Sequence, residues 1–167
     1  MSRISAMQVI ERSDQAAISI QIKVPLKEMQ EAIDESREKL MNFLQEMAAF
    51  PAGSFYVTYY SFSKEAVECE AGFPLYKEIT GENQIKASRK RGGLYLTCYH
   101  QGAYRKIPSI YREMDTWLLH HHFETSGVTE EIYLNHDVED SQRLTQVLIS
   151  ISQKELSNDD RESKTGK

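Results

Sequence analysis

Cysteine is scarce in this 167-residue chain: Cys69 and Cys98 are the only two. Each sits in an apolar, strand-like run, and no Cys-x-x-Cys spacing exists, so buried reduced thiols are expected rather than zinc or redox chemistry. No apolar run is long enough to span a bilayer. Met1 to Ile10 lacks the charged-then-apolar layout of a signal peptide, which makes the reducing cytoplasm the expected location. There is no phosphate-cradling glycine loop, no His-Glu-x-x-His and no Ser-His-Asp arrangement with supporting context, so no cofactor is expected. His120, His121 and His122 are consecutive. Helical neighbours point about 100° apart, so they cannot converge on one ion and no metal is expected. Basic surplus is also missing. The formal net charge of -5 argues against tight nucleic-acid binding, which needs a basic face.

What is present is ordinary globular material, 40% hydrophobic and 27% charged, with one unusual enrichment: nine tyrosines. Ile18, Ile20, Ile22 and Val24 alternate with polar residues and read as a half-buried strand. Pro25 suits a helix's first turn. From Leu26 the period changes: Met29, Ile33, Leu40, Phe43, Leu44 and Met47 form the stripe of an amphipathic helix running to about Ala49. Strands are expected over Ser54 to Phe62 and Ala66 to Ala71. Lys77 to Gly93 is polar and reads as a solvated connector with a short basic cluster at Lys86, Arg89, Lys90 and Arg91. The pattern then recurs. Leu94, Leu96 and Cys98 alternate as a strand. Ile107, Ile110, Tyr111, Met114, Trp117 and Leu118 follow at helical spacing, ended by Thr125-Ser126-Gly127. Thr129 to Leu134 and Leu144 to Ile151 read as strands.

The two halves overlay. Ile18, Ile20 and Ile22 match Leu96, Cys98 and His100, Val24-Pro25-Leu26 matches Gly102-Ala103-Tyr104, and Gly53 and Tyr59 have the spacing of Gly127 and Tyr133. Such duplication predicts two similar modules. The expected fold is α+β: tandem β-α-β-β repeats, about 7–76 and 84–152, in one domain over 1–153. They form a mostly antiparallel sheet with two long helices on one face and a ligand cleft on the other, and 154–167 forms a flexible tail. If Leu94, Leu96 and Cys98 pack under a helix, Tyr95, Thr97 and Tyr99 point the other way. If Ile132 and Leu134 pack inward, Glu131 and Tyr133 join them. Aromatic faces with a carboxylate among them suit a flat, cationic guest, although tyrosine on an open sheet face is often only cross-strand packing.

In this order and spacing the sequence resembles the gyrase-inhibitor-like (GyrI-like) family of small-molecule-binding domains, which includes effector-binding domains of some AraC-type and MerR-type regulators. The likeness runs over about Met7 to Ser152. It rests on Gly93-Leu94-Tyr95-Leu96-Thr97, His100-Gln101-Gly102-Ala103-Tyr104, Tyr111, Trp117-Leu118, Ser126-Gly127, Glu131-Ile132-Tyr133-Leu134 and Thr145. In the first half it rests on Ala52-Gly53 and on Val67-Glu68-Cys69-Glu70-Ala71-Gly72-Phe73-Pro74. The resemblance implies a cleft between repeats that binds bulky aromatic, often cationic compounds. It places the family's pocket glutamate on Glu131 and its aromatics on Tyr59, Tyr104, Trp117 and Tyr133; alternation adds Tyr95 and Tyr99. Val24-Pro25-Leu26 departs from the family's Gly-Pro-Tyr, which makes the first-repeat side less polar. No helix-turn-helix precedes the domain, so a stand-alone sensing or sequestering module without direct DNA binding or membrane contact is expected. Two alternatives use the same resemblance: a hydrolase of electrophilic small molecules with Glu131 as general base beside Tyr104 or Tyr133, and a protein-interaction module such as a gyrase inhibitor.

Overall fold

A computed structural model describes residues 2–154; the expected tail at 154–167 lies, apart from Lys154, outside the described residues. The elements run β1 (Gln8–Arg12), β2 (Gln15–Val24), α1 (Met29–Glu46), β3 (Tyr56–Phe62), β4 (Val67–Pro74), β5 (Ile85–Lys90), β6 (Gly93–Gln101), α2 (Ile107–His121), β7 (Phe123–Tyr133) and β8 (Leu144–Gln153). A single 3-10 turn leads into each helix, Leu26–Glu28 and Tyr104–Lys106. All eight strands form one antiparallel sheet in the order β1-β6-β8-β7-β3-β4-β2-β5. No helix among the described residues is long and apolar enough to cross a membrane.

The strand order reads as two copies of one pattern meeting back to back at β7 and β3. Moving outward, β7-β8-β6 mirrors β3-β4-β2. The outermost strands are exchanged: β1 precedes β2 but pairs with β6, and β5 precedes β6 but pairs with β2.

Register fixes which side chains share a face, because directly paired residues in an antiparallel sheet point the same way. Ile85, Ile20, Ala71, Val57, Glu131, Val147 and Cys98 form one such row across seven strands. The first four belong to a core with Ile33, Leu40, Phe43 and Leu44 of α1. Val147 and Cys98 belong to a second core with Ile110, Met114 and Leu118 of α2. Each such buried aliphatic side chain stabilises the fold by roughly 1.5–3 kcal/mol. Both helices therefore lie on one face, over separate cores, and the one charged residue of the row sits between them.

That arrangement corrects the expected placement of the cleft. The face away from the helices is filled by the protein's own side chains. Tyr56, Thr97, Leu148 and Glu130 are buried there. Arg12, from one edge strand, forks onto Glu130 with Nη1–Oε2 and Nη2–Oε1 at 2.9 Å each. Lys90, from the opposite edge strand, reaches the same carboxylate at 3.2 Å. Arg12 also lies 4.0 Å from the Tyr95 ring centroid, and Lys90 lies 4.6 Å from that of Tyr56. Edges at opposite ends of the strand order meet on one residue of β7, so the sheet curls around this face and closes it.

Two further expectations give way to the structure. The polar connector contains β5, and β1 was absent from the expected pattern. Both are edge strands, which carry few apolar residues and many charges, so their alternation is weak. The Thr125-Ser126-Gly127 stop lies inside β7. It is a register shift between Thr125 and Thr129, with Gly127 at φ +86°, and α2 ends earlier on His122 in the left-handed region at φ 59°.

Candidate functional site

Between the helices, the shared face opens into a cleft of about 1090 Å³. Its floor is the junction of β3 and β7, and its walls come from α1, the 3-10 turn before α2, and the first turns of α2. The row of paired residues explains this place. On either side, aliphatic side chains pack under a helix; at Glu131 the row passes from the α1 core to the α2 core.

Glu131 lies on the cleft floor, 9% exposed. Tyr111 of α2 donates its hydroxyl to Oε2 at 2.8 Å, and Tyr133 donates to Oε1 at 3.0 Å. With the Tyr133 hydrogen directed at Glu131, its oxygen is left to accept from the Tyr59 hydroxyl at 3.3 Å. Two phenols thus hold the carboxylate directly, and a third reaches it through Tyr133. Burial pushes the Glu131 pKa up, and the hydrogen bonds from Tyr111 and Tyr133 offset part of that rise. Burial, followed by the nearby Glu131 charge, holds the hydroxyls of Tyr59, Tyr111 and Tyr133 well above the usual phenol value.

No cation pairs with Glu131 among the described residues. Its neighbour shows the contrast. Glu130 is 2% exposed on the closed face. Burial would raise its pKa too, but the Arg12 hydrogen bond and the charges of Lys90 and Arg12 hold it below the usual carboxylate value.

The aromatic wall is continuous. Tyr104 meets Tyr133 edge-on with centroids 5.2 Å apart, Phe55 lies 6.1 Å from Tyr133, and Phe62 lies 6.2 Å from Tyr59. Of the residues expected at a site, Glu131, Tyr133, Tyr104 and Tyr59 come together here. Tyr95, Tyr99 and Trp117 do not. Tyr95 is buried on the closed face, its hydroxyl donating to the Arg91 carbonyl at 2.8 Å. Tyr99, paired with Gln146, points to that face as well. Trp117 packs beside the α2 core, stacked on His121 at 3.8 Å and on Phe123 at 5.8 Å. Tyr111 and Phe55 line the cleft beyond the residues the sequence pattern points to. Tyr111 carried a signal in its spacing, since it flanks the α2 stripe one turn after Ile107, but nothing in the spacing tells which flank faces the other helix.

No curated protein matches the chain by sequence. A family model for the GyrI-like small molecule binding domain matches residues 6–152. The C-terminal domain of EcmrR has the same fold, with a TM-score of 0.69 at 14% identity, over 89% of this chain and 98% of that domain. EcmrR in a DNA complex gives 0.79 at 12% identity over 89% of this chain, which spans only 57% of that chain's length. SAV2435, a protein solved with tetraphenylphosphonium bound, gives 0.57 at 10% identity, over 89% of this chain and 94% of its own. At these identities the structural likeness establishes the fold.

Proposed function

This chain belongs to the GyrI-like family of small-molecule binding domains, and from that premise we propose that its cleft reversibly binds bulky, aromatic, cationic compounds for sequestration or sensing. The binding unit is one domain of two repeats, about 7–76 and 84–152. The observation that carries the reading is the carboxylate of Glu131: buried, aimed into an aromatic-lined cleft, and held by hydroxyl donors with no cation paired to it among the described residues. A buried carboxylate lacking a countercharge is costly. A guest cation would supply that charge, and its flat apolar body would gain contact with Phe55, Tyr59, Tyr104 and Tyr133. The capture of tetraphenylphosphonium by SAV2435 supports the same ligand class.

Calorimetric titration with tetraphenylphosphonium and with neutral triphenylphosphine oxide tests this reading. Glu131→Gln is expected to weaken the cation by about tenfold or more, the scale of a lost charged hydrogen-bonding partner. The neutral oxide should change little. Equal loss for both compounds would remove Glu131 from the role of counterion.

A second reading draws on the same geometry. A carboxylate with raised pKa beside the Tyr133 hydroxyl is suited to act as general base on water. It expects hydrolysis of strained or electrophilic small molecules that disappears in Glu131→Ala; unchanged background hydrolysis with the wild-type protein rejects it.

A further inference from the structure

Glu131 is not the only charge in the cleft. Arg37 of α1 and Arg143, just before β8, line the same space. Each guanidinium lies over an aromatic ring: Arg37 is 5.9 Å from the Phe55 centroid, and Arg143 is 4.5 Å from that of Tyr104. Both rings in turn pack on Tyr133. The contacts therefore run cation, ring, Tyr133, ring, cation, and the Tyr133 hydroxyl points down to Glu131.

The two arginines have little else to do. Arg37 makes no ion pair among the described residues. Arg143 meets Asp140 at 3.4 Å, with 34% and 59% of the two side chains exposed, which is a weak surface contact. Asp34, the other acid of the lining, accepts a hydrogen bond from Gln30 at 3.0 Å. Two guanidiniums would weaken the hold of Glu131 on a guest carrying only positive charge. Held against rings, they present stiff donor forks matched to an oxyanion.

We propose that the preferred guest is a zwitterion: an aromatic cation seated toward Glu131 that also bears a carboxylate, gripped by Arg37 and Arg143. This inference rests on the reading of Glu131 as the partner of the guest's positive charge.

Rhodamine B and its ethyl ester test it. They share one xanthylium cation and differ in whether the carboxylate is free. Both are titrated by fluorescence anisotropy at neutral pH. The acid is expected to bind about tenfold tighter than the ester, the scale of a charged hydrogen-bonded contact. Adding salt should narrow the gap. In the Arg37→Gln/Arg143→Gln double variant the two dyes should bind within about twofold of each other, the wild-type gap of about tenfold having been the charged contact. An ester that binds as well as the acid, with an affinity that still depends on Glu131, overturns the zwitterion inference and leaves the cation reading standing. A preference for the acid that survives in the double variant also overturns it. If neither dye binds, the cation reading fails and this inference fails with it.

Discussion

Glu130 and Glu131 are adjacent in the chain and opposite in fate. Strand alternation sends one to each face. Glu130 meets Arg12 and Lys90; among the described residues Glu131 meets only hydroxyls. Their effects on stability therefore have opposite signs. With its pKa held low, Glu130 contributes stability that is present above the usual glutamate value and lost as pH falls through the depressed one. With its pKa raised, Glu131 contributes stability that is present below the usual value and lost as pH rises through the raised one. Glu130→Gln should cost about 3 kcal/mol in urea melts, because it leaves Arg12 and Lys90 without their buried partner. Glu131→Gln should instead raise the melting temperature of the ligand-free protein at neutral pH, because it removes a carboxylate whose charged form burial disfavours. That gain should vanish in acid, where the wild-type Glu131 is already protonated. Cation affinity should fall over the same interval, since the guest needs the ionised form. Calorimetric titration with tetraphenylphosphonium across pH checks this, and a flat profile in Glu131→Gln is the control.

At the scale of elements, α2 divides its labour between two flanks. Ile110, Met114 and Leu118 seal the second core, whereas Ile107 and Tyr111 also reach the cleft. Met114 is fully buried, so Met114→Ala should cost about 2–4 kcal/mol and leave tetraphenylphosphonium affinity within about twofold. Tyr111→Phe should do the reverse. It keeps the ring and removes one of the two donors to Glu131, so the pKa of Glu131 rises further and cation binding fails at a higher pH than in the wild type. The helices, the inner strands and their stripes were legible from periodicity. The edge strands β1 and β5 were not, because charge on an edge hides the alternation. Gly127 punctuated the sequence as a stop but is a bulge inside β7. A local turn signal says how the backbone bends, not whether pairing resumes beyond it.

Across the whole molecule the duplication becomes chemistry. The spacing that relates Tyr59 to Tyr133 also relates Val57 to Glu131, and these last two are paired across the β3–β7 junction. The repeats meet at this pair, an unlike one, a valine against a glutamate, at the floor of the cleft. Tyr59 and Tyr133, equivalent in the two halves, touch through their hydroxyls. Because β1 and β5 are exchanged between halves, neither half has a complete sheet alone. One cooperative transition is expected for the intact chain, whereas fragments cut within 77–84 should show none by circular dichroism. A ligand at a hundred times its dissociation constant should add about 2.7 kcal/mol to the single transition.

Sequence alone determined the inner strands and helices, the duplication, the family, and the presence of Glu131, Tyr59, Tyr104 and Tyr133 as candidates. It also determined that Glu131 and Tyr133 share a face, because a period of two is a local property of the strand. Which face the helices cover is not local. It is decided by which side of a strand gains a packed partner, and that depends on residues far away in the chain. Only the tertiary structure placed Glu131 under the gap between helices, drew Tyr111, Arg37 and Arg143 to it, and turned Tyr95 and Tyr99 into the closed side of the sheet.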